Sequence, residues 1–397
     1  MAEIRVYQRE KEKIQKKTDY QDKIRRHRLK GMLRIGLVLC IIGILIALVS
    51  VQYENHIYTS YDTISSLERE NVEGTTDVRL GDSVLTYSRD GAHCTDVRGN
   101  IIWNQTYEIQ DVLLDICQDV AAIASYNGRE VYVVSADKVL GSFSTNFPIR
   151  SVSVAANGRV TVVMADTGSA YYNIYSAEGK LLFEGQATMS GSGYPMAVSM
   201  SPNGELLQVA YIYLDAGVQK TNIAFYNLGP VGANIADSLV RVQEYKDLLI
   251  PYVQFMNDET SFAVGDNMMI MYKGDQIPVP QAQFLYNQEV KAVFYDENYI
   301  GLVFYAETGS SLYMMNVYNV NCEQVGTYYF NIEYTDIIFE KDSFIVYNDA
   351  ECSVMTFKNE EKYSGSFDKS VRLMLPLKTA YKYLLITGDS LDTIQLK

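Results

Sequence analysis

Residues 165–175 read Ala-Asp-Thr-Gly-Ser-Ala-Tyr-Tyr-Asn-Ile-Tyr, and residues 306–318 repeat the pattern as Ala-Glu-Thr-Gly-Ser-Ser-Leu-Tyr-Met-Met-Asn-Val-Tyr. Each copy follows an apolar run, at 160–164 in the first case and at 300–305 in the second. An apolar strand, a turn containing Gly and an aromatic strand together indicate a β-hairpin. Because this hairpin recurs far along the chain, the sequence predicts a fold built from one repeated unit.

The turn of this hairpin can be followed through the whole sequence. It comes after the second strand of each unit, at Gly91, Gly128, Gly168, Gly217, Asn267, Gly309, Asp349 and Gly388. The strands predicted before these turns are 83–88, 120–125, 160–165, 207–213, 260–264, 300–305, 344–347 and 382–386. The intervals between turns are 37 to 50 residues, and a period of roughly 40–50 residues is typical of four-stranded propeller blades. We predict an all-β propeller of eight blades, or of seven if one turn is misassigned.

The last unit, residues 371–397, holds three strands and lacks a fourth. We expect a strand from within residues 56–71 to complete it, because an open sheet edge invites aggregation. The predicted boundaries are therefore a connector with the closing strand at 54–75 and a propeller at 76–397.

Residues 35–53 read IGLVLCIIGILIALVSVQY and carry no charge. A helix that crosses a bilayer needs about 20 mainly apolar residues, so we predict a transmembrane signal anchor at 32–53. A cleaved signal peptide fits less well, because the charged leader is long and the apolar run exceeds an ordinary signal core. A lipoprotein signal ending at Cys40 also fits less well, since small residues are missing before this cysteine.

The charges that flank the apolar segment predict its orientation. Residues 1–34 carry 12 Lys+Arg and 5 Asp+Glu, whereas residues 35–397 carry 22 and 43. The positive-inside rule therefore places the basic tail, residues 1–31, in the cytoplasm as a short helix and everything after residue 53 outside the cell membrane. Small residues at Gly36, Cys40, Gly43 and Ala47 would share one helix face, which allows a homodimer through the anchor.

A D-x-x-G-x-x-x-W motif occurs at Asp96, Gly99 and Trp103, and residues 176–183 are a degenerate copy. This motif resembles the blade repeat of quinoprotein-type propellers, a PQQ-like or WD40-like class of fold. The layout of basic tail, anchor and propeller is similar to uncharacterised single-pass membrane proteins of Gram-positive bacteria. The chain has a single Trp and no Trp-Asp dipeptide, so most blades depart from both repeat patterns. The resemblance implies a fold and no activity.

The sequence assigns no catalytic, cofactor-binding or metal-binding residue. Zinc sites need His or Cys at close spacing, but His56 and His93 are isolated and Cys94, Cys117, Cys322 and Cys352 are scattered without a C-x-x-C motif. Both disulfides and free thiols are open for these cysteines. We expect no cofactor, and the acidic balance after residue 34 argues against nucleic acid as a partner.

Two functions fit this sequence. The preferred one is a protein-binding or scaffold module that presents a propeller face to another envelope or membrane protein, without catalysis. The alternative is an enzyme acting on envelope polysaccharide, which needs two facing carboxylates; Asp111, Asp115 and Asp336 fall near inner-strand ends. Converging carboxylates would indicate the enzyme, whereas an apolar or aromatic surface patch would indicate the binding module. The acidic outer domain predicts a basic partner surface.

Overall fold

The computed structural model of the 397-residue chain describes residues 36–37, 39–44, 56–188, 191–215, 217–307 and 309–397. It divides into two units, Met1–Ile57 and Tyr58–Lys397. In the first unit, residues 36, 37 and 39–44 are helical. No helix among the described residues has the length and apolarity needed to cross a membrane. The predicted basic tail and most of the predicted anchor lie outside the described residues.

The second unit is built from eight antiparallel sheets, the blades of a propeller. Its first strand, β1 (Tyr61–Glu68), belongs to the last blade. Blade 1 contains β2 (Thr76–Leu80), β3 (Ser83–Tyr87), β4 (Gly91–Thr95) and β5 (Ile101–Thr106). Blade 2 contains β6 (Val112–Cys117), β7 (Val120–Ser125), β8 (Glu130–Ser135) and β9 (Val139–Ser144). Blade 3 contains β10 (Ile149–Val154), β11 (Val160–Asp166), β12 (Ser169–Tyr175), β13 (Leu181–Phe183) and β14 (Gln186–Thr188).

The remaining blades follow the same order. Blade 4 contains β15 (Tyr194–Met200), β16 (Leu206–Asp215), β17 (Val218–Asn227) and β18 (Leu239–Lys246), with short 3-10 turns at Gly232–Asn234 and Ala236–Ser238. Blade 5 contains β19 (Tyr252–Phe255), β20 (Thr260–Val264), β21 (Met268–Lys273) and β22 (Val279–Leu285). Blade 6 contains β23 (Ala292–Tyr295), β24 (Tyr299–Tyr305), β25 (Tyr313–Asn319) and β26 (Gln324–Phe330). Blade 7 contains β27 (Asp336–Phe339), β28 (Ser343–Tyr347), β29 (Glu351–Thr356) and β30 (Glu361–Ser366), and blade 8 contains β31 (Val371–Pro376), β32 (Lys382–Thr387), β33 (Ser390–Leu396) and β1.

The first strand of each blade along the chain, β31 in blade 8, is its inner strand. The inner strands contact one another around the centre, as β6 does with β10, β15 with β19 and β31 with β2. All of them run in the same direction through the ring. We call the face where they begin the upper face and the face where they end the lower face.

The prediction of eight blades is confirmed. The eight predicted second strands coincide with the second strands of the eight sheets, and those at 120–125 and 260–264 match β7 and β20 at both ends. These strands are mainly apolar and buried over most of their length, and β20 is buried from Thr260 to Val264. A short run of buried apolar and β-branched residues bounded by turn residues is a strong strand signal.

Blade 8 is completed by β1, which lies within the residues proposed for a closing strand. β1 pairs antiparallel with β33, from Tyr61 opposite Leu396 to Glu68 opposite Ser390. The two ends of the propeller chain therefore meet in one sheet, and β33 is not left as an unpaired edge.

An ion pair fastens the closing strand to the first blade. The Arg69 guanidinium, which follows β1, donates to both carboxylate oxygens of Asp77 on β2, over 3.0 and 2.8 Å. The Asp77 side chain is 0% exposed, and the Thr86 hydroxyl also donates to it over 2.6 Å. The pair therefore joins blade 8 to blade 1 inside the protein.

The D-x-x-G-x-x-x-W residues form the turn between β4 and β5. The Asp96 carboxylate accepts hydrogen bonds from the backbone N–H groups of Arg98 and Asn100, over 2.9 and 2.8 Å, while Gly99 takes a φ of 79° that suits glycine. The Trp103 indole then donates to the Ser135 carbonyl of blade 2 over 2.8 Å. The motif is structural, since it docks one blade against the next.

Apolar side chains fill the boundaries between blades. Eight clusters of buried residues among the described residues correspond to the eight blade boundaries. Tyr272, Tyr328, Tyr347 and Tyr383 are among the largest fully buried side chains. Much of the tyrosine in this sequence therefore packs between blades.

Candidate functional site

Hydrogen bonds join neighbouring inner strands around the centre of the ring. Three inner-strand side chains each accept a hydrogen bond from a backbone N–H of the next blade: Asp115 from Val154 (2.6 Å), Ser153 from Met200 (3.0 Å) and Ser199 from Phe255 (2.8 Å). These bonds link blades 2 to 5 in sequence. They satisfy backbone donors that would otherwise lie unpaired at the centre of the ring.

Asp115 sits at the start of this series and is half-buried. Burial raises the pKa of its carboxyl to about 6, against the opposing effect of the hydrogen bonds that the carboxylate accepts. Burial also raises the pKa of Tyr252 and Tyr295 on blades 5 and 6, and the negative charge of Asp115 adds to both shifts. The charge of Asp115 therefore acts on tyrosine side chains of blades 5 and 6, on the far side of the propeller's centre.

Asp336 and Asp111, the other two candidate carboxylates, have separate surroundings. Burial raises the pKa of Asp336 to about 6, and its carboxylate accepts from the Ile337 N–H over 2.8 Å and from the Tyr347 hydroxyl over 3.4 Å. Asp111 is exposed. Among the described residues, no second carboxyl contributes to the pKa of Asp115 or Asp336. The structure therefore does not bring the three carboxylates together, and the contacts of Asp115 and Asp336 are those of packing between strands.

We expect Asp115→Asn to raise the stability of the propeller at neutral pH. The folded pKa of about 6 lies above the ordinary value of 3.8, so the folded state holds a proton that the unfolded chain has released between these pH values. The Asp115 carboxyl makes its full contribution to the free energy of unfolding below pH 4. This contribution, on the order of 2–3 kcal/mol, is lost as the pH rises through 6. The amide oxygen of Asn can still accept from Val154, so the melting temperature at pH 7.5 should rise by several degrees.

The comparison is made by melting both proteins from pH 5 to pH 8. The gain from Asp115→Asn should shrink toward pH 5, where the parent carboxyl takes up its proton. Asp111→Asn, at the exposed position just before the same strand, should leave the melting temperature unchanged at every pH. A lower melting temperature for Asp115→Asn at pH 7.5 would contradict the expected result.

A different feature of the ring is a depression on the upper face where blade 4 meets blade 5. It has a volume of about 580 Å³, within the range of roughly 300–1,000 Å³ that ligand sites occupy. Residues 245–248 of blade 4 form one wall, and residues 267–268 and 285–287 of blade 5 form the other. The depression opens to solvent along the surface.

The lining presents mainly carbon atoms. The Tyr245 hydroxyl pairs with the Tyr272 hydroxyl at 2.8 Å, and the Tyr286 hydroxyl donates to the Gly265 carbonyl over 2.7 Å. Because these hydroxyls are engaged inside the protein, the two rings offer apolar surface to the depression. At its edge, Leu285 is 79% exposed. This arrangement leaves a concave apolar surface that nothing in the described chain fills.

A long hairpin stands beside the depression. β16 and β17 have ten residues each, whereas the second strands of the other blades have five to seven. Its tip carries Leu214 and Val218, both exposed. The Asp247 N–H donates to the Gln219 carbonyl over 3.1 Å, which fixes the hairpin to the wall of the depression. The apolar tip and the depression therefore belong to one region of the upper face.

Sequence reasoning missed this region. The strand predicted at 207–213 was the longest of the eight, which was the available signal for a projecting hairpin. Leu285 ends an ordinary outer strand, and nothing in the residues around it marks a site.

The cysteines are free thiols: Cys40, Cys94, Cys117, Cys322 and Cys352. Of the two alternatives open from the sequence, the structure has free thiols rather than disulfides. Burial raises the pKa of Cys94 to about 11 and that of Cys352 to about 12, which makes these thiols poor nucleophiles. In the described part of the chain, no three His, Cys, Asp or Glu side chains are grouped as metal ligands.

Comparison with known proteins gives a family and several structures of similar fold. Residues 54–396 match a family described as "Family of unknown function (DUF5711)", and no curated protein matches the sequence. BamB from Moraxella catarrhalis is 9% identical with a TM-score of 0.48, over 85% of this chain and 100% of that chain. Hsv2p from Kluyveromyces lactis is 8% identical with a TM-score of 0.49, over 75% and 99%. The Pan2 WD40 domain from Neurospora crassa is 11% identical with a TM-score of 0.44, over 72% and 88%.

Proposed function

We propose that this chain, which belongs to the DUF5711 family of unknown function, is a membrane-anchored protein-binding module of the cell envelope. The observation that carries the proposal is the apolar depression between blades 4 and 5, with the exposed Leu285 at its edge. A large apolar side chain beside a concave apolar surface gains free energy when a partner covers both. Large apolar side chains that pack into a pocket contribute most of the binding free energy in many protein interfaces.

The anchoring part of the proposal is supported by sequence. The uncharged run at 35–53 lies between a tail with 12 Lys+Arg and an outer region with 43 Asp+Glu. We place the tail in the cytoplasm, the helix of 32–53 in the membrane of a Gram-positive cell and the propeller outside. Anchoring raises the effective concentration of the propeller against other proteins at the same membrane, so a partner of the membrane or envelope fits best.

Leu285→Asp should abolish capture of the partner. The test compares the full chain and the variant, each crosslinked in the cells that make it and purified from detergent-solubilised membranes. A charge at the edge of an apolar depression has to be desolvated when a partner covers it, so we expect at least a tenfold loss of the captured protein. The amount of each captured protein is measured by mass spectrometry.

The matched control is Ile101→Asp. Ile101 is 68% exposed and lies on blade 1, away from the depression, so its replacement should leave the captured protein unchanged. Both variants should keep the parent melting temperature, because neither side chain is buried. Equal capture by all three proteins would overturn the assignment of the binding site to this depression.

A further inference from the structure

Charged residues at the rim of the depression between blades 4 and 5 indicate the chemistry of its occupant. Its rim holds more acids than bases: Asp247 and Lys246 line it, and Asp266 immediately precedes the lining residue Asn267. Both aspartates are exposed. The charge of Asp266 also contributes to the raised pKa of the Tyr286 phenol, after the larger effect of burial, which places this carboxylate close to the apolar lining.

Each basic side chain at the depression or on the adjoining hairpin lies near an acid. The lining residue Lys246, whose side chain is 68% exposed, lies 3.9 Å from Glu244. On the adjoining hairpin, Lys220 donates to Asp215 over 2.7 Å and lies 3.5 Å from Glu244. Neither Asp247 nor Asp266 has an ion-pair partner among the described residues. The region around the depression therefore keeps an excess of negative charge, in a protein whose formal net charge is −14.

An apolar centre with an acidic rim is complementary to a segment that is apolar on one face and basic around it. Interfaces usually have a desolvated apolar core and a polar rim, and rim charges steer the approach of a partner of opposite charge. A second copy of the acidic propeller would bring like charges together, and an anionic lipid surface would be repelled.

We infer that the depression between blades 4 and 5 receives a basic, amphipathic segment of a partner protein. Its apolar side chains enter beside Leu285 and Met268, while its Lys or Arg side chains face Asp247 and Asp266. The exposed tip of the long hairpin, Leu214 and Val218, provides a second apolar contact. This inference rests on the proposed function, since it specifies the chemistry of the partner at the same site.

The test places the photoreactive amino acid benzoylphenylalanine at position 285 of the full chain in cells. Illumination links this side chain to whatever covers the depression, and mass spectrometry of the adduct identifies the linked segment. We expect one partner segment in which apolar residues alternate with Lys or Arg. The same probe at position 101, on blade 1, should not give this adduct.

Charge reversal then tests the role of the rim. With the probe at position 285, Asp247→Lys combined with Asp266→Lys should lower the yield of the adduct at least tenfold. Asp90→Lys combined with Asp137→Lys makes the same change in net charge at exposed positions of blades 1 and 2, and it should leave the yield within twofold of the parent. Melting temperatures of both double variants report whether the fold is intact.

The outcomes separate this inference from the proposed function. An adduct to a neutral or acidic partner segment, or an adduct insensitive to reversal of the rim charges, would overturn the inference and leave protein binding at this site standing. An adduct to residues 1–34 of another copy of this chain would replace the partner by self-association and would also contradict the proposed orientation of the tail. The absence of any protein adduct at position 285 would overturn both.

Discussion

Arg69→Met should lower the melting temperature of the propeller by about 5 °C. The Arg69 guanidinium is the group that neutralises the Asp77 carboxylate, and the Asp77 side chain is fully buried. Removing one partner of a buried ion pair leaves an uncompensated charge and costs about 3–5 kcal/mol. In a domain as large as Tyr58–Lys397, each kcal/mol corresponds to roughly 1.5 °C. Differential scanning calorimetry at pH 7 measures the change.

The chain offers a matched control that joins the same two blades. Lys378 of blade 8 lies 3.2 Å from Asp82 of blade 1, but the two side chains are 90% and 75% exposed. Lys378→Met should therefore change stability by less than about 0.5 kcal/mol, because exposed pairs are screened by water.

A second variant shows whether the buried charge is the cause of the loss. Replacing both partners, Arg69→Met with Asp77→Leu, should recover much of the lost stability, because no charge is then left buried. If the double variant were as unstable as Arg69→Met, the loss would come from packing of the Arg69 side chain and not from the ion pair.

The repeated architecture of the propeller could be predicted because its signals are local. Second strands such as β7 and β20 are mainly apolar and buried on both faces, and the turns after them contain Gly, Asn or Asp. Outer strands were harder to recognise. β22 alternates between exposed and half-buried residues and contains Pro280, and β13 has only three residues. In half-exposed strands the pattern of apolar residues is weaker, since many residue types are tolerated at positions that face solvent.

The candidate site could not be predicted because it depends on contacts between blades. Asp115 was recognised as an acid near the end of an inner strand, but the backbone N–H that it binds belongs to Val154, in a blade whose register the sequence does not specify. The depression is formed by the end of β18 and by parts of blade 5, so it exists only when both blades are placed side by side. Local patterns report strands and turns, whereas sites of this kind arise from packing.

Removal of β1 should prevent the ring from closing. A chain that begins at Arg69 keeps the buried ion pair but loses seven residues that pair with β33 and loses Tyr58 from the core between blades 7 and 8. The backbone groups of β33 and the apolar side chains of Ile394 and Leu396 would then meet water, and an open edge pairs readily with other chains. Compared with a chain that begins at His56, we expect a melting temperature lower by more than about 10 °C and concentration-dependent aggregation.

A peptide of residues 56–68 provides the decisive control, because it supplies the missing strand without a covalent link. If β1 acts by pairing with β33, adding the peptide to the chain that begins at Arg69 should raise the melting temperature as its concentration increases, since a ligand that binds only the folded state stabilises it. A peptide with Thr63→Pro and Ser66→Pro, which interrupts the ladder of hydrogen bonds, should have no effect. Equal melting of the two chains would show that blade 8 is stable with three strands, and that pairing of β1 with β33 is not what holds the ring closed.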